Sequence, residues 1–171
     1  MDSNDLNRRV RYALMIDDDD VIDLLRLSAW PGDGAQVSGW RLKEGDAGFV
    51  PCPPDAVQYM LDGLIIQRRG RKDDDSASAK PASDTTVLEP AAGKRPVIDN
   101  NAVLKQLRIA LSLKTDDVFE LIAQGGGKIG KSEVNAFFRK PTARNYRRCG
   151  DQVLRWFLAG LTARRQSAQM E

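Results

Sequence analysis

The sequence predicts an all-α protein made by tandem duplication, with two four-helix, helix-turn-helix-like repeats joined by a disordered linker. Three observations carry this. Displaced by 97 positions, the chain aligns with itself without a gap across most of each half. Apolar residues within each half recur with the helical period. The stretch between the halves is rich in Ala, Ser, Asp and Pro and almost free of large apolar residues. The expected organisation is a first, acidic repeat over 1–69, a linker over 70–96 and a second, basic repeat over 97–171.

At the 97-residue displacement Asn4 falls on Asn101, Arg11 on Arg108, and Ala13-Leu14 on Ala110-Leu111. Asp19-Asp20-Val21 falls on Asp116-Asp117-Val118, Cys52 on Cys149, and Leu61, Gly63 and Leu64 on Leu158, Gly160 and Leu161. Aromatic character is kept where identity is not, as in Trp40 with Phe137 and Tyr59 with Trp156. A period of this length is the signature of a repeat architecture.

The first helix of each repeat is expected near Asn4–Met15, with Leu6, Val10, Ala13 and Leu14 on one face and Val103, Leu107, Ala110 and Leu111 on its copy. The second begins at acidic caps, Asp19 and Asp20 or Thr115 to Asp117, whose oxygens suit the free N–H groups and the dipole of a helix start. The third is short, near Ala35–Lys43 and Ser132–Lys140, and buries Val37 and Trp40 or Val134 and Phe137. The fourth spans Asp55–Arg69 and Asp151–Arg165, burying Met60, Leu61 and Leu64 or Phe157, Leu158 and Leu161. Gly63 and Gly160 fall inside this last helix, where a glycine costs about 1 kcal/mol relative to alanine. Its recurrence predicts the close approach of another helix. A repeat of ~65 residues buries only about 60% of its unfolded surface, so the two repeats are expected to pack on each other or on a second chain. The linker composition cannot offset its ordering entropy, and residues 71–95 are expected to lack fixed structure.

Composition excludes several chemistries. The chain has no histidine, which removes Ser-His-Asp and Cys-His nucleophiles and most zinc-site patterns. Two separated cysteines are too few for a disulfide scaffold and fit a reducing compartment. No apolar run approaches the ~18 residues that span a bilayer, and the acidic, polar N-terminus is unlike a signal peptide. The expectation is a cytoplasmic, non-enzymatic protein with no cofactor, no metal and no membrane partner. Net charge is +2, but residues 1–70 hold 8 basic against 12 acidic residues, and residues 100–171 hold 13 against 6. The basic second half suits an anionic partner, and the opposite signs also suit attraction between the halves.

Four local motifs stand out against this background. Gly125-Gly126-Gly127-Lys128-Ile129-Gly130-Lys131-Ser132 satisfies the phosphate-cradling P-loop pattern, and Val118–Ala123 could pass as the strand that pattern needs. The paired segment Ser28–Ala35 has no such motif, however, and a glycine-rich turn between helices is the preferred reading. Asp17 to Asp20 invites a calcium loop, but Ile22 and Ser28 stand where glycine and glutamate are required. Arg11 and Arg108 are expected to pair with a carboxylate across the first turn and fix the angle between helices. Cys52 and Cys149 are expected to be small buried hydrophobes rather than reactive thiols.

A helix, a capped second helix, a glycine-rich turn and a short third helix resemble the helix-turn-helix of phage repressors. In the second repeat, Lys128, Lys131, Ser132, Asn135, Arg139 and Lys140 would lie on or beside the recognition helix, followed by Arg144, Arg147 and Arg148. Lys and Arg attract phosphates, while Asn and Arg read base edges. The first repeat offers Gln36, Ser38, Arg41 and Lys43 at matching places. The leading expectation is therefore a DNA- or RNA-binding protein acting through its second repeat. The alternative is a protein–protein adaptor or a self-associating homodimer, and P-loop nucleotide binding stands third.

The runs Asn4 to Leu14 and Leu107 to Asp117, with Cys149-Gly150-Asp151-Gln152 and Leu154 to Leu161, resemble the YehS-like bacterial family. That family carries two copies of a domain of unknown function, numbered 1456. The resemblance covers both halves and stops at the linker. It implies a small cytoplasmic bacterial protein and carries over no catalytic residue, and the P-loop-like string lies outside the resembling pattern.

Overall fold

A computed structural model of the chain describes residues 1–70 and 99–169, and the expected linker disorder lies outside that range. Among the described residues the regular elements are all helices. Helix α1 spans Ser3–Leu14, α2 Asp18–Leu27 and α3 Pro54–Arg69, with a 3-10 helix at Gly34–Arg41 between the last two. The second repeat follows as α4 (Asn100–Ala110), α5 (Thr115–Gln124), α6 (Lys131–Phe137) and α7 (Asp151–Gln169). Each start in the first repeat recurs 97 residues later.

The expected apolar faces form the core. Val10, Ala13, Val37, Trp40, Met60, Leu61 and Leu64 are buried, as are Val103, Leu107, Ala110, Val134, Phe137, Phe157 and Leu158. One continuous hydrophobic cluster runs through both repeats. Within each repeat the second helix lies against the last, α2 on α3 and α5 on α7. Between repeats the first helix of one lies against the last helix of the other, α1 on α7 and α4 on α3. The two repeats thus interlock about a pseudo-two-fold axis, which supplies the burial that a domain of this size lacks alone.

The glycines expected to mark a close approach do so. A Cβ at Gly63 would overlap the backbone carbonyl of Leu24, and one at Gly160 that of Leu121. Leu24 and Leu121 are themselves a repeat pair, so the same helix crossing is built twice.

Two local expectations are corrected. The third element of the first repeat is a 3-10 helix rather than an α-helix. Gly34 and Gly39 weaken α-helix there, and Gly39 is fixed because a Cβ would lie 2.8 Å from the Gly48 carbonyl oxygen. The caps of the second helices also sit earlier than expected. Asp17 caps α2 by accepting from the Asp20 N–H at 2.8 Å, while the Asp20 carboxylate accepts from the Asp17 N–H at 3.1 Å. In α5 only the return bond survives, from the Lys114 N–H to Asp117 at 2.7 Å, because a lysine side chain cannot accept.

Candidate nucleic-acid interface

Helix α5, a six-residue turn and α6 form the helix-turn-helix-like unit of the second repeat. Val134, Ala136 and Phe137 point into the core, which leaves Lys131, Ser132, Asn135 and Arg139 along the outer face. Lys128 precedes this face, and Lys140, Arg144, Arg147 and Arg148 follow on the connector to α7. All nine of these residues are exposed.

The connector that carries the arginines is held by one buried side chain. Asn101 donates from its amide nitrogen to the Phe137 carbonyl at 2.9 Å and the Arg147 carbonyl at 2.8 Å. Its amide oxygen accepts from the Cys149 N–H at 2.8 Å. Asn4 makes the same three bonds to Trp40, Val50 and Cys52, each displaced by 97 residues. The Arg147 N–H also donates to the Ala136 carbonyl at 3.3 Å, which closes the connector back onto α6. The pairing of Asn4 with Asn101 was visible in the sequence, but its role was not, because the three backbone partners lie 36 to 48 residues away.

The electrostatics of the face are uneven. Lys131 is paired with Asp116 at 2.6 Å and Arg147 with Glu133 at 2.7 Å, all at the surface. Lys128, Arg139, Arg144 and Arg148 have no carboxylate within ion-pair distance among the described residues. In the first repeat the arginines of the corresponding region share one carboxylate. Arg41 meets Asp18 at 3.3 Å, and Arg11 donates to the same carboxylate. The Arg–carboxylate brace expected across the first turn therefore uses Asp18, not the shared pair Asp19-Asp20. Thr115 stands at the position of Asp18 in the second repeat, and Arg108 instead lies 4.6 Å from the centroid of the Phe138 ring. Both arginines keep one constant bond, Arg11 to the Ile16 carbonyl at 3.3 Å and Arg108 to the Leu113 carbonyl at 3.2 Å.

The P-loop-like string is a turn made by packing. The element before it is helix α5, not a strand. A Cβ at Gly125 would overlap the Trp156 carbonyl, and one at Gly127 would lie 2.8 Å from Cε3 of the Trp156 ring. Gly126 has φ +92°, and its counterpart Ala29 also takes a left-handed φ of 57°. The turn is thus common to both repeats, and the extra glycines make room for Trp156. Lys131 is engaged with Asp116 and not directed into a phosphate cradle.

Cys52 and Cys149 are buried and unbridged. Burial, with nearby Asp55 for Cys52 and Asp99 for Cys149, pushes each thiol up to about 12. Neither is a nucleophile near neutral pH. Among the described residues no group of acidic or cysteine side chains could hold a metal ion, and no helix is long and apolar enough to cross a membrane.

The chain matches the model of the family described as "Protein of unknown function (DUF1456)" in two segments, residues 3–70 and 100–166. It is 41% identical over 162 residues to the "Uncharacterized protein YehS" of Escherichia coli (strain K12), covering 95% of each chain. No solved structure matches it significantly.

Proposed function

The chain belongs to the DUF1456 family, with one copy of the domain in each repeat, and from the surface of its second copy we infer that it is a non-enzymatic nucleic-acid-binding protein. The observation that carries this reading is the grouping of Lys128, Arg139, Arg144 and Arg148, exposed and without carboxylate partners, beside the outer face of a helix-turn-helix-like unit. Such cations neutralise phosphates and release counterions. Ser132 and Asn135 supply side chains able to bond base edges or sugars from the same helix. Lys131 and Arg147, held by Asp116 and Glu133, orient the face and exchange partners on contact with phosphate. The buried, protonated cysteines and the lack of histidine favour binding over catalysis, and two unbridged thiols suit the cytoplasm.

The test is anisotropy with labelled duplex DNA, single-stranded DNA and RNA across a salt series. Binding is expected to weaken as salt rises. Each of Lys128→Ala, Arg139→Ala, Arg144→Ala and Arg148→Ala should lower the log–log salt slope by about 0.9 on duplex DNA where that residue meets a phosphate. Substituting Asn135 should leave the slope alone and relax sequence preference. No salt-dependent binding to any of the three polymers at low ionic strength would overturn the reading in favour of a protein adaptor.

A further inference from the structure

We propose a second anion site, independent of the face just described, in the groove where α1 meets the C-terminal part of α7, shaped for a nucleoside phosphate. The groove has a volume of about 910 Å³, at the upper end of the range of small-molecule sites, roughly 300–1,000 Å³. Its walls come from both repeats: α1, the Arg41–Lys43 segment, and α7 through Thr162, Arg165 and Gln166. Six cations line it, namely Arg8, Arg9, Arg11, Arg41, Lys43 and Arg165.

The carboxylates nearby do not balance them. Asp5 is shared by Arg9 at 2.9 Å and by Arg8 and Arg155 at 3.8 Å each. Asp18 is shared by Arg11 and Arg41, and Asp17 is occupied in capping α2. Lys43 and Arg165 have no carboxylate within ion-pair distance among the described residues. One terminal nitrogen of Arg165, Nη1, is enclosed without any hydrogen-bond partner. Arg165 also lines the groove, where a phosphate oxygen can accept from its accessible N–H groups.

The same groove carries a surface for a flat ring. Tyr12 on α1 is 69% exposed and Met15, its C-cap, 62% exposed, and both line the groove. An exposed phenol ring beside a cluster of cations is the arrangement that stacks a base while its phosphate is held.

The repeat separates part of this lining from what recurs in the related seam. Asn4, Arg11 and Gly63 recur as Asn101, Arg108 and Gly160, whereas Arg9, Tyr12, Met15 and Arg41 become Gln106, Ile109, Ser112 and Phe138. Arg8, Lys43 and Arg165 by contrast correspond to Lys105, Lys140 and Arg68, so what the related seam lacks is the exposed ring of Tyr12 and the charges of Arg9 and Arg41.

The probes are inorganic phosphate, ATP without added metal, and a short labelled oligo(dT), each titrated at low salt into the full chain. ATP or oligo(dT) should bind more tightly than phosphate. Lys43→Glu and Arg165→Ala should weaken that binding about tenfold, with helical circular dichroism unchanged. Tyr12→Ala should weaken it about tenfold as well, and Tyr12→Phe should restore it, because stacking needs the ring and not the hydroxyl. Binding of ATP alone assigns the site to free nucleotides, and binding of oligo(dT) alone assigns it to a strand only where Tyr12→Ala and Arg165→Ala weaken that binding in an Arg139→Ala/Arg148→Ala background. An Arg139→Ala/Arg148→Ala double variant should keep the groove's binding, which separates this site from the second-repeat face. The proposal is overturned if neither ATP nor oligo(dT) binds, or if binding is unaffected by Tyr12→Ala and Arg165→Ala.

Discussion

One buried amide holds each long connector of this protein in place. Asn101 satisfies two carbonyls and one N–H that no helix or sheet would otherwise pair. Asn101→Ala leaves three enclosed backbone groups unbonded and should destabilise the protein by about 3 kcal/mol, since each such group costs roughly 1–3 kcal/mol less whatever water recovers. Chemical denaturation measures this, and Asn101→Asp should fare no better, because a carboxylate cannot donate to the Phe137 and Arg147 carbonyls. The cysteines beside these amides give a pH signature. Folding keeps Cys52 and Cys149 protonated up to about 12, against an ordinary value of 9.0. Above pH 9 the unfolded chain loses thiol protons that the folded chain retains, so stability falls as pH rises from 9 towards 12. The difference in denaturation midpoint between pH 8 and pH 10.5 should shrink in a Cys52→Ala/Cys149→Ala variant. An equal difference in both proteins would contradict the assignment.

At the scale of elements, the crossings of α2 on α3 and of α5 on α7 depend on glycine. Gly160→Ala would gain about 1 kcal/mol of helix propensity but force a methyl group into the Leu121 carbonyl. Overpacking of this kind costs typically 1–3 kcal/mol, and more where the obstacle is backbone. The expected outcome is a net loss of about 2 kcal/mol for either Gly63→Ala or Gly160→Ala, read as a lowered thermal midpoint. These glycines were legible in the sequence because the cost of a mid-helix glycine is local and its recurrence demanded a reason. The apolar faces were legible for the same reason, since Val10, Leu61 and Phe157 follow a period set by the helix itself. The 3-10 geometry of Gly34–Arg41 was not, because what fixes Gly39 is a carbonyl at Gly48 across a turn. Nor was the brace at Asp18, which looked like one member of a four-aspartate run until the fold brought Arg11 and Arg41 to it.

At the scale of the molecule, counting charge by halves concealed the groove. The acidic first repeat contributes Arg8, Arg9, Arg41 and Lys43, the basic second repeat contributes Arg165, and only the contact of α1 with α7 assembles them. That contact also decides how the chain depends on its own duplication. Each repeat covers the first helix of the other with its last helix, so a fragment of residues 97–171 would expose the face of α4 that α3 covers and the face of α7 that α1 covers. Because α4 corresponds to α1 and α7 to α3, two copies of the fragment can restore both contacts, with α4 of each lying on α7 of the other. The fragment is therefore expected to fold as a homodimer and to unfold on dilution, with a thermal midpoint that rises with protein concentration. Charge adds a second sign. In the full chain an acidic repeat meets a basic one, but two basic copies repel, so the fragment's association should strengthen with moderate salt as that repulsion is screened. Sedimentation across a salt and concentration series checks both statements. A folded monomer whose midpoint ignores concentration would mean that each repeat is stable alone, and that the exchange of first helices between repeats contributes little to the fold.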